Sequence, residues 1–455
     1  PLEDRALTTR VILVRHGLSS YNAEGKIQGR SNASTLTEIG RAAAEQVALA
    51  LQQVPIDAIY SSPLQRAFIT ATIIQEKLNA LPERDAPPLP PVIGHEQLLE
   101  IDLPLWEGLS RQAVESSYGE LYQTWHSSPD RLEMTHRDKN ESFFPVLRLR
   151  QQAVGFWIDL LGRHPHQTIL VVAHNGINRC LLSTAIGISP QRYHTILQSN
   201  CCINILNFPN GWEFGAQLES MNLTGHLGHP LPQSKSHQRV RLLLVRHGET
   251  DWNRDQRFQG QIDVPLNSNG RLQAQKAAEL LQSVPIDFAI TSPLLRPKET
   301  AEIILKPHPH VPLSYLEGLR EISHGQWEGR LESEIQDLFP QSLQAWKSAP
   351  ATVQMPEGEN LHQVWERAVA AWTEVVTSAP SGSTGLVVAH DATNKVILCS
   401  LLGLPMDSFW SIKQGNGAVT VVDYLDGASG LPSLQAMNIT SHLGGVLDRT
   451  AAGAL

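Results

Sequence analysis

VILVRHG at residues 11–17 and LLLVRHG at residues 242–248 decide the reading of this chain. Each is a short run of apolar, mostly branched residues that closes on arginine, histidine and glycine. An uninterrupted apolar run of this length suits a strand buried on both faces, as in a parallel sheet. A histidine directly after such a strand is placed to enter a pocket, and the glycine beyond it permits close backbone approach to a ligand. A turn that carries a hydrogen-bonded histidine has the same sequence, so the tripeptide alone does not specify chemistry.

Three more pairs of segments lie outward from this one. VPIDAIYSSPLQR (54–66) is echoed by VPIDFAITSPLLR (284–296), LLEIDLPLWEG (98–108) by LREISHGQWEG (319–329), and ILVVAHNG (169–176) by GLVVAHDA (385–392). The offsets fall from 231 (His16 to His247) and 230 (Arg66 to Arg296) to 221 (Glu100 to Glu321) and 216 (His174 to His390). Four motifs in one order with a slowly drifting offset are the mark of a duplicated domain with changed loop lengths. Most of the drift lies between Arg66 and Glu100, where the first copy is 34 residues long against 25. That stretch holds Pro87, Pro88, Pro90 and Pro91, which predict an irregular loop, one that could shape specificity.

The reading therefore places a first domain at 1–225, a linker at 226–239 and a second domain at 240–455. The junction, GHLGHPLPQSKSHQR at 225–239, is rich in Gly, Pro, Ser and Gln and has no periodic apolar residues. Strands are predicted at Val11–Val14, Ile56–Tyr60, Ile169–Val172, Leu242–Val245 and Leu386–Val388. Helices are predicted for RAAAEQVALALQQV (41–54) and RLQAQKAAELLQSV (271–284), where apolar residues recur at helical spacing. The alternation predicts two tandem three-layer α/β/α domains. Each has a mostly parallel sheet flanked by helices and a site at the strands' carboxyl ends.

Bulk composition narrows the function classes. The chain has 455 residues, enough for two domains. The net charge of −9 argues against nucleic acid and anionic membrane as partners, because such binding draws on basic surface. A local basic pocket can still capture a small anion. Cys180, Cys201, Cys202 and Cys399 show no metal-ligand spacing and are too few for a disulfide framework. The start, Pro1 to Arg10, is polar, and no apolar run approaches membrane-spanning length. A soluble, cytoplasmic protein is the expectation.

Two strand-end histidines per copy, with arginines at matched positions, resemble the histidine phosphatase (phosphoglycerate mutase-like) superfamily. The likeness rests on RHG, the SPLxR arginine, the LxE…WEG segment and the VVAH histidine, and it covers nearly the whole chain twice. HGETDWN…FQGQIDVPLNSNG at 247–270 follows the family pattern closely. The resemblance implies that His16 and His247 are nucleophiles that become phosphohistidine. It makes Arg15, Arg66 and His174 the phosphate clamp of the first copy, and Arg246, Arg296 and His390 that of the second. Glu100 and Glu321 match the proton donor. Asn22, Gln28 and Gly29, with Asn253, Gln259 and Gly260, match loop residues that contact phosphate, although polar loop residues also commonly bond their own backbone. The Trp-Glu-Gly segments at 106–108 and 327–329 are expected to support the pocket. His226, His308 and His310 are read as surface residues.

The chemistry suits these residue types. Phosphoryl transfer needs positioning and stabilisation of charge on three equatorial oxygens, which arginine's planar fork supplies better than a lysine. The expected enzyme is a metal-independent phosphomonoesterase with no cofactor, acting on a small phosphorylated metabolite. The oligomeric state is not legible.

Within the superfamily, mutases carry an ERHYG segment where this chain has LLEIDLPLWEG and LREISHGQWEG. The kinase-fused bisphosphatases carry a GxxxxGK[ST] loop that is absent here. HGLSSYN, GKIQGRSNASTLTEIG, EIDLPLWEG and ILQSNCCINILNF (196–208), together with the tandem arrangement, resemble the plant 2-carboxy-D-arabinitol 1-phosphatases of Rubisco regulation. That family's substrate is an inhibitory sugar-acid phosphate. This chain departs from it by keeping every catalytic position in the second copy, which suggests two active sites or a broader range. The alternatives are one catalytic domain beside a binding or dimerising domain, and a mutase dependent on 2,3-bisphosphoglycerate.

Overall fold

A computed structural model describes residues 8–82, 87–136, 141–233, 238–425 and 430–450. The chain divides into two compact units, Pro1–Pro232 and Gln233–Leu455. Parts of the predicted polar start (1–7) and of the predicted linker (234–237) lie outside the described residues.

In the first unit the principal elements are β1 (Thr9–Arg15), α1 (Glu38–Ala50), β2 (Ala58–Ser61), α2 (Gln65–Ala80), β3 (Val92–Gly94), α3 (Pro145–Arg163), β4 (Thr168–Ala173), α4 (Asn175–Ile186), β5 (Ile203–Phe208) and β6 (Gln217–Leu223). Their sheet runs β3-β2-β4-β1-β5-β6. The first four strands are mutually parallel, and β5 and β6 are antiparallel additions. The second unit repeats this with β7 (Val240–Arg246), α5 (Ser268–Leu281), β8 (Phe288–Thr291), α6 (Leu295–Ile304), β9 (Leu313–Tyr315), α7 (Leu361–Ser378), β10 (Thr384–Ala389), α8 (Asp391–Leu402), β11 (Val419–Tyr424) and β12 (Pro432–Ile439). The order is β9-β8-β10-β7-β11-β12, with the same parallel and antiparallel pairs.

Sequence explains the layering. Val11, Ile12, Leu13 and Val14 are all 0% exposed, so β1 has covered faces, and each such side chain contributes about 1.5–3 kcal/mol on burial. The chain moves one way along the sheet from β1 through α1 and α2 to β3, then back through α3 to β4. Right-handed crossovers place helices of opposite travel on opposite faces, and α1 packs with α2 while α3 packs with α4. Gly187 (φ 88°) and Gly403 (φ 66°) end α4 and α8 in the left-handed conformation that glycine adopts freely.

Several details differ from the sequence reading. α1 and α5 begin three residues before the predicted starts, because Thr37 and Asn267 cap them by accepting from the N–H of Gly40 and Gly270. The antiparallel β5 and β6 were not marked. The glycine after each histidine faces another glycine rather than open space. A Cβ on Gly17 would lie 2.4 Å from the Gly40 carbonyl oxygen, and one on Gly248 would lie 2.3 Å from that of Gly270. The Pro-rich loop enters β3 at Val92, the amino end of a strand parallel to β2. It is therefore at the end of the sheet opposite the strand-end histidines, and this position does not favour a role in specificity.

Candidate active site

Strand register builds the site. Arg15 lies opposite Ala173 on adjacent parallel strands, so His16 and His174 leave the sheet side by side, with ring centroids 5.1 Å apart. Arg246 lies opposite Ala389, and His247 and His390 stand 5.2 Å apart. Arg66 and Arg296 occupy the first turns of α2 and α6, just beyond β2 and β8. Glu100 and Glu321 arrive from a loop and meet the amino ends of α4 and α8. Glu100 accepts from the N–H groups of Gly176 and Ile177 at 3.1 Å and of Ile101 at 2.8 Å. Glu321 accepts from Ala392 and Thr393 at 3.4 Å and from Ile322 at 3.0 Å. In each copy the five predicted catalytic residues converge on one point.

Hydrogen bonds fix the imidazole tautomers. His16 Nδ1 and His247 Nδ1 each lie 2.7 Å from the carbonyl oxygen of the following glycine. A carbonyl only accepts, so Nδ1 carries the hydrogen and Nε2 keeps its lone pair. Burial and the two neighbouring arginines hold both imidazoles well below their ordinary pKa, so they are neutral. His174 Nε2 and His390 Nε2 lie 2.8 Å from Ser62 Oγ and Ser292 Oγ. Ser62 Oγ also accepts from the Leu64 N–H; when its own hydrogen points to His174 Nε2, the imidazole hydrogen sits on Nδ1.

The arginines are held from behind. Arg66 Nη2 donates to Gly29 O at 2.9 Å and Nη1 to Ser31 O at 2.8 Å; Arg296 Nη2 donates to Gly260 O at 2.8 Å. Arg15 and Arg246 donate to the carbonyls of Gln198 and Gln414 at 2.7 and 2.6 Å. Burial pushes the guanidinium of Arg66, like that of Arg296, down to about 10. Arg296 Nε donates to His247 Nε2 at 3.2 Å. Arg15 Nε, Arg66 Nε, Arg246 Nε, His174 Nδ1 and His390 Nδ1 are buried and find no partner among the described residues. An orphaned buried donor costs about 1–3 kcal/mol, and an anion with several oxygens at this point would satisfy them together.

The loop residues divide between support and exposure to the site. Gly29 (φ 51°) and Gly260 (φ 57°) sit on the carboxylates of Glu107 and Glu328, where a Cβ would fall 2.3 and 2.1 Å from Oε1. Their carbonyls anchor the arginines, so Trp-Glu-Gly is a brace, and Trp106 and Trp327 are buried. Asn22 Oδ1 accepts from Ser19 and Asn200, and Asn253 Oδ1 from Thr250 and Asn416. Gln28 Oε1 is taken by Ser19 Oγ at 2.9 Å, whereas Gln259 Oε1 has no partner among the described residues. In the second copy Arg246, His247, Asn253, Gln259, Gly260, Arg296 and Glu321 line a pocket open to solvent, joined by Arg257, His324 and Asp391.

Those last three, with Asn200 and Asn416, were missed in the sequence. The QSN and QGN segments at 198–200 and 414–416 recur in both copies and could have pointed to the asparagines. Their amides donate to the carbonyls of His16 and His247. His324 stands where the first copy has Leu103, and its burial pushes it to about 3. Of the histidines read as surface residues, His310 is exposed. His226 and His308 are only partly exposed, and their rings contact the carbonyls of Cys201 and Leu281. Among the described residues no group of three or more His, Cys, Asp or Glu could hold a metal ion, and no helix is long and apolar enough to cross a membrane.

The sequence profile of the histidine phosphatase superfamily (branch 1) matches residues 11–223 and 242–440. The chain is 32% identical over 98% of its length to 2-carboxy-D-arabinitol-1-phosphatase of Triticum aestivum, covering 88% of that protein. It is 28% identical over 96% of its length to a probable 2-carboxy-D-arabinitol-1-phosphatase of Arabidopsis thaliana, also covering 88%. A single copy matches phosphoserine phosphatase 1 of Hydrogenobacter thermophilus, 33% identical over 45% of this chain and 95% of that one. The chain belongs to the histidine phosphatase superfamily.

Proposed function

We propose that this member of the histidine phosphatase superfamily hydrolyses small phosphate monoesters at two sites through phosphohistidine. The observation that carries the reading is the cluster of orphaned, buried donors around a neutral imidazole in each copy. Arg15, Arg66 and His174 hold the equatorial oxygens in the first site, as Arg246, Arg296 and His390 do in the second. His16 Nε2 or His247 Nε2 attacks phosphorus, forming an N–P bond as the P–O ester bond breaks. Glu100 or Glu321 gives its proton to the departing alkoxide. Water then attacks phosphorus, its proton passes to the same glutamate, and the N–P bond breaks to release phosphate and the free imidazole.

Burial and Asp391 raise the pKa of Glu321, so this carboxyl keeps its proton to higher pH than an ordinary glutamate. In the second site Arg296 Nε must leave His247 Nε2 before the lone pair can attack, and an incoming phosphate oxygen supplies the competing acceptor. The substrate class is a sugar phosphate or sugar-acid phosphate. The wheat relative supports 2-carboxy-D-arabinitol 1-phosphate as the first to try.

The test is phosphate release with chelator present, on 2-carboxyarabinitol 1-phosphate, 3-phosphoglycerate and fructose bisphosphates, with and without 2,3-bisphosphoglycerate. Metal-independent hydrolysis that falls in both His16→Ala and His247→Ala is expected. Activity that requires 2,3-bisphosphoglycerate would identify a mutase instead, and loss in only one mutant would leave the other copy without catalysis.

A further inference from the structure

The two sites share their clamp but not the charge beside it. α4 opens with Asn175 and carries Arg179 one turn on; α8 opens with Asp391 and carries Lys395 at the matching place. Lys395 is 2% exposed and is neutralised. Its Nζ lies 2.8 Å from Asp391 Oδ2 and stacks over the rings of Phe409 and Trp410 at 4.9 and 4.5 Å. The other oxygen of Asp391 lies 3.5 Å from Arg246 Nη1. Asp391 thus sets a carboxylate in the cavity wall beside the second phosphate clamp.

Arg179 has no carboxylate partner among the described residues. Its Nη1 donates to His194 Nδ1 at 3.2 Å, and the guanidinium lies 5.3 Å over the ring of Tyr193. His194 Nε2 donates to Trp125 O at 2.7 Å, so this imidazole is a neutral spacer that positions Arg179 and does not balance its charge. Arg179 Nε and Asn175 Oδ1 are both buried without a hydrogen-bond partner among the described residues. The group senses Glu100 and lies close enough to Arg15 to repel it. Lys26 pairs with Glu24 at 2.6 Å and its counterpart Arg257 lies 3.8 Å from Glu334, so these positions match in charge. Arg30, paired with Asp102 at 3.8 Å, is replaced by Gln261, and Asn32 by Asp263, a second acidic group that acts on Arg296. In the first site Arg15, Arg66 and Arg179 face Glu100, with Glu107 behind Arg66. In the second, Arg246, Arg296 and Lys395 face Glu321 and Asp391, with Glu328 and Asp263 also near Arg296.

Resting on the phosphatase reading above, we propose that the two sites divide substrates by charge. The first takes phosphate esters that carry a second anionic group, a carboxylate or another phosphate, and Arg179 receives it. The second, where Asp391 replaces Asn175, excludes that group and takes esters whose neighbouring groups are hydroxyls. The Asp391–Lys395 ion pair offers a second anion no net attraction and turns a carboxylate towards it, whereas a guanidinium without a carboxylate partner attracts it.

The test uses the full chain with one nucleophile removed at a time, and p-nitrophenyl phosphate as the common reporter. His247→Ala reads the first site and His16→Ala the second. Inhibition constants are measured for 3-phosphoglycerate and for glycerol 3-phosphate, which differ in a carboxylate against a hydroxymethyl group, and for fructose 1,6-bisphosphate against fructose 6-phosphate. The first site is expected to bind 3-phosphoglycerate at least tenfold tighter than glycerol 3-phosphate, and the second site not to. Asn175→Asp should raise the constant for 3-phosphoglycerate at least tenfold while moving that for glycerol 3-phosphate less than threefold; Asp391→Asn should do the reverse at the second site. A response confined to the fructose pair identifies the second anion as phosphate, and one confined to the three-carbon pair identifies carboxylate. Equal ratios in both backgrounds, ratios unmoved by either substitution, or no inhibition by any compound overturn the proposal. Undiminished reporter hydrolysis in the His16→Ala, His247→Ala double variant would instead overturn the histidine chemistry beneath it.

Discussion

Set side by side, the two copies agree most closely where phosphate would sit and diverge one helical turn away. His16 Nδ1 and His247 Nδ1 lie 2.7 Å from the glycine carbonyl in both, the second histidine 2.8 Å from its serine in both, and the paired rings 5.1 and 5.2 Å apart. Leu103 against His324, Asn175 against Asp391 and Arg179 against Lys395 then change the wall's shape and charge. In the proposed mechanism the clamp answers to one transition state, whereas the wall answers to whatever is attached to the phosphate. The second can drift while the first is held.

The comparison breaks most visibly at the nucleophiles. His16→Ala and His247→Ala should each lower turnover at their own site by on the order of 10⁴-fold or more, leaving the other site intact. Phosphate release by the two single variants and the double variant checks this, and an inert single variant would mean the copies do not act separately. Next come the clamp arginines. Arg66→Lys and Arg296→Lys keep the charge but lose the fork held by Gly29 and Gly260, and each should cost about 10²–10³ in kcat at its own site. Steady-state kinetics in the complementary nucleophile-silenced background isolates each effect.

Smaller effects sharpen the likeness. Gly29→Ala and Gly260→Ala force a left-handed residue against a carboxylate. Each should destabilise its unit by about 1–3 kcal/mol, readable as a shift in the denaturant midpoint. Acid should act on both units alike. His16, His174, His194 and His226 in one, and His247, His390, His324 and His442 in the other, are all pushed down by burial. Their folded pKa lies below the unfolded value near 6.5, so the unfolded chain gains protons first and stability is lost as pH falls below about 6.5. Each histidine contributes up to about 1.4 kcal/mol per pH unit. Thermal unfolding followed from pH 7.5 to 5 should show a steep decline in Tm, and a flat profile would contradict the neutral, buried imidazoles.

What could be read from sequence follows physical lines. The central parallel strands were legible because residues such as Val11–Val14 and Leu386–Val388 are continuous apolar runs, whereas the short β3, β8 and β9 gave no such signal. The candidate arginines and histidines stood out because they end a strand or begin a helix, while Glu100 and Glu321 lie on a loop and were placed by resemblance alone. The antiparallel strands were not legible, since β5 and β6 bury polar side chains that satisfy one another; Asn207 donates to Glu219 at 2.7 Å, a pairing invisible to hydropathy. Helix starts at Thr37 and Asn267 were missed because caps are polar. Asp391, Lys395 and Arg179 sit beyond the VVAH motif, and only the comparison of copies exposes them. His324 was hidden because its counterpart is Leu103, which gives no echo to find.

The central claim is that both histidines carry phosphate during turnover. Rapid quenching of the full chain with ³²P-labelled substrate, followed by peptide mapping under conditions that preserve phosphohistidine, tests it most directly. The account predicts label on the peptide containing His16 and on the peptide containing His247. Label on only one of them, on another residue, or on none while phosphate is being released would contradict it.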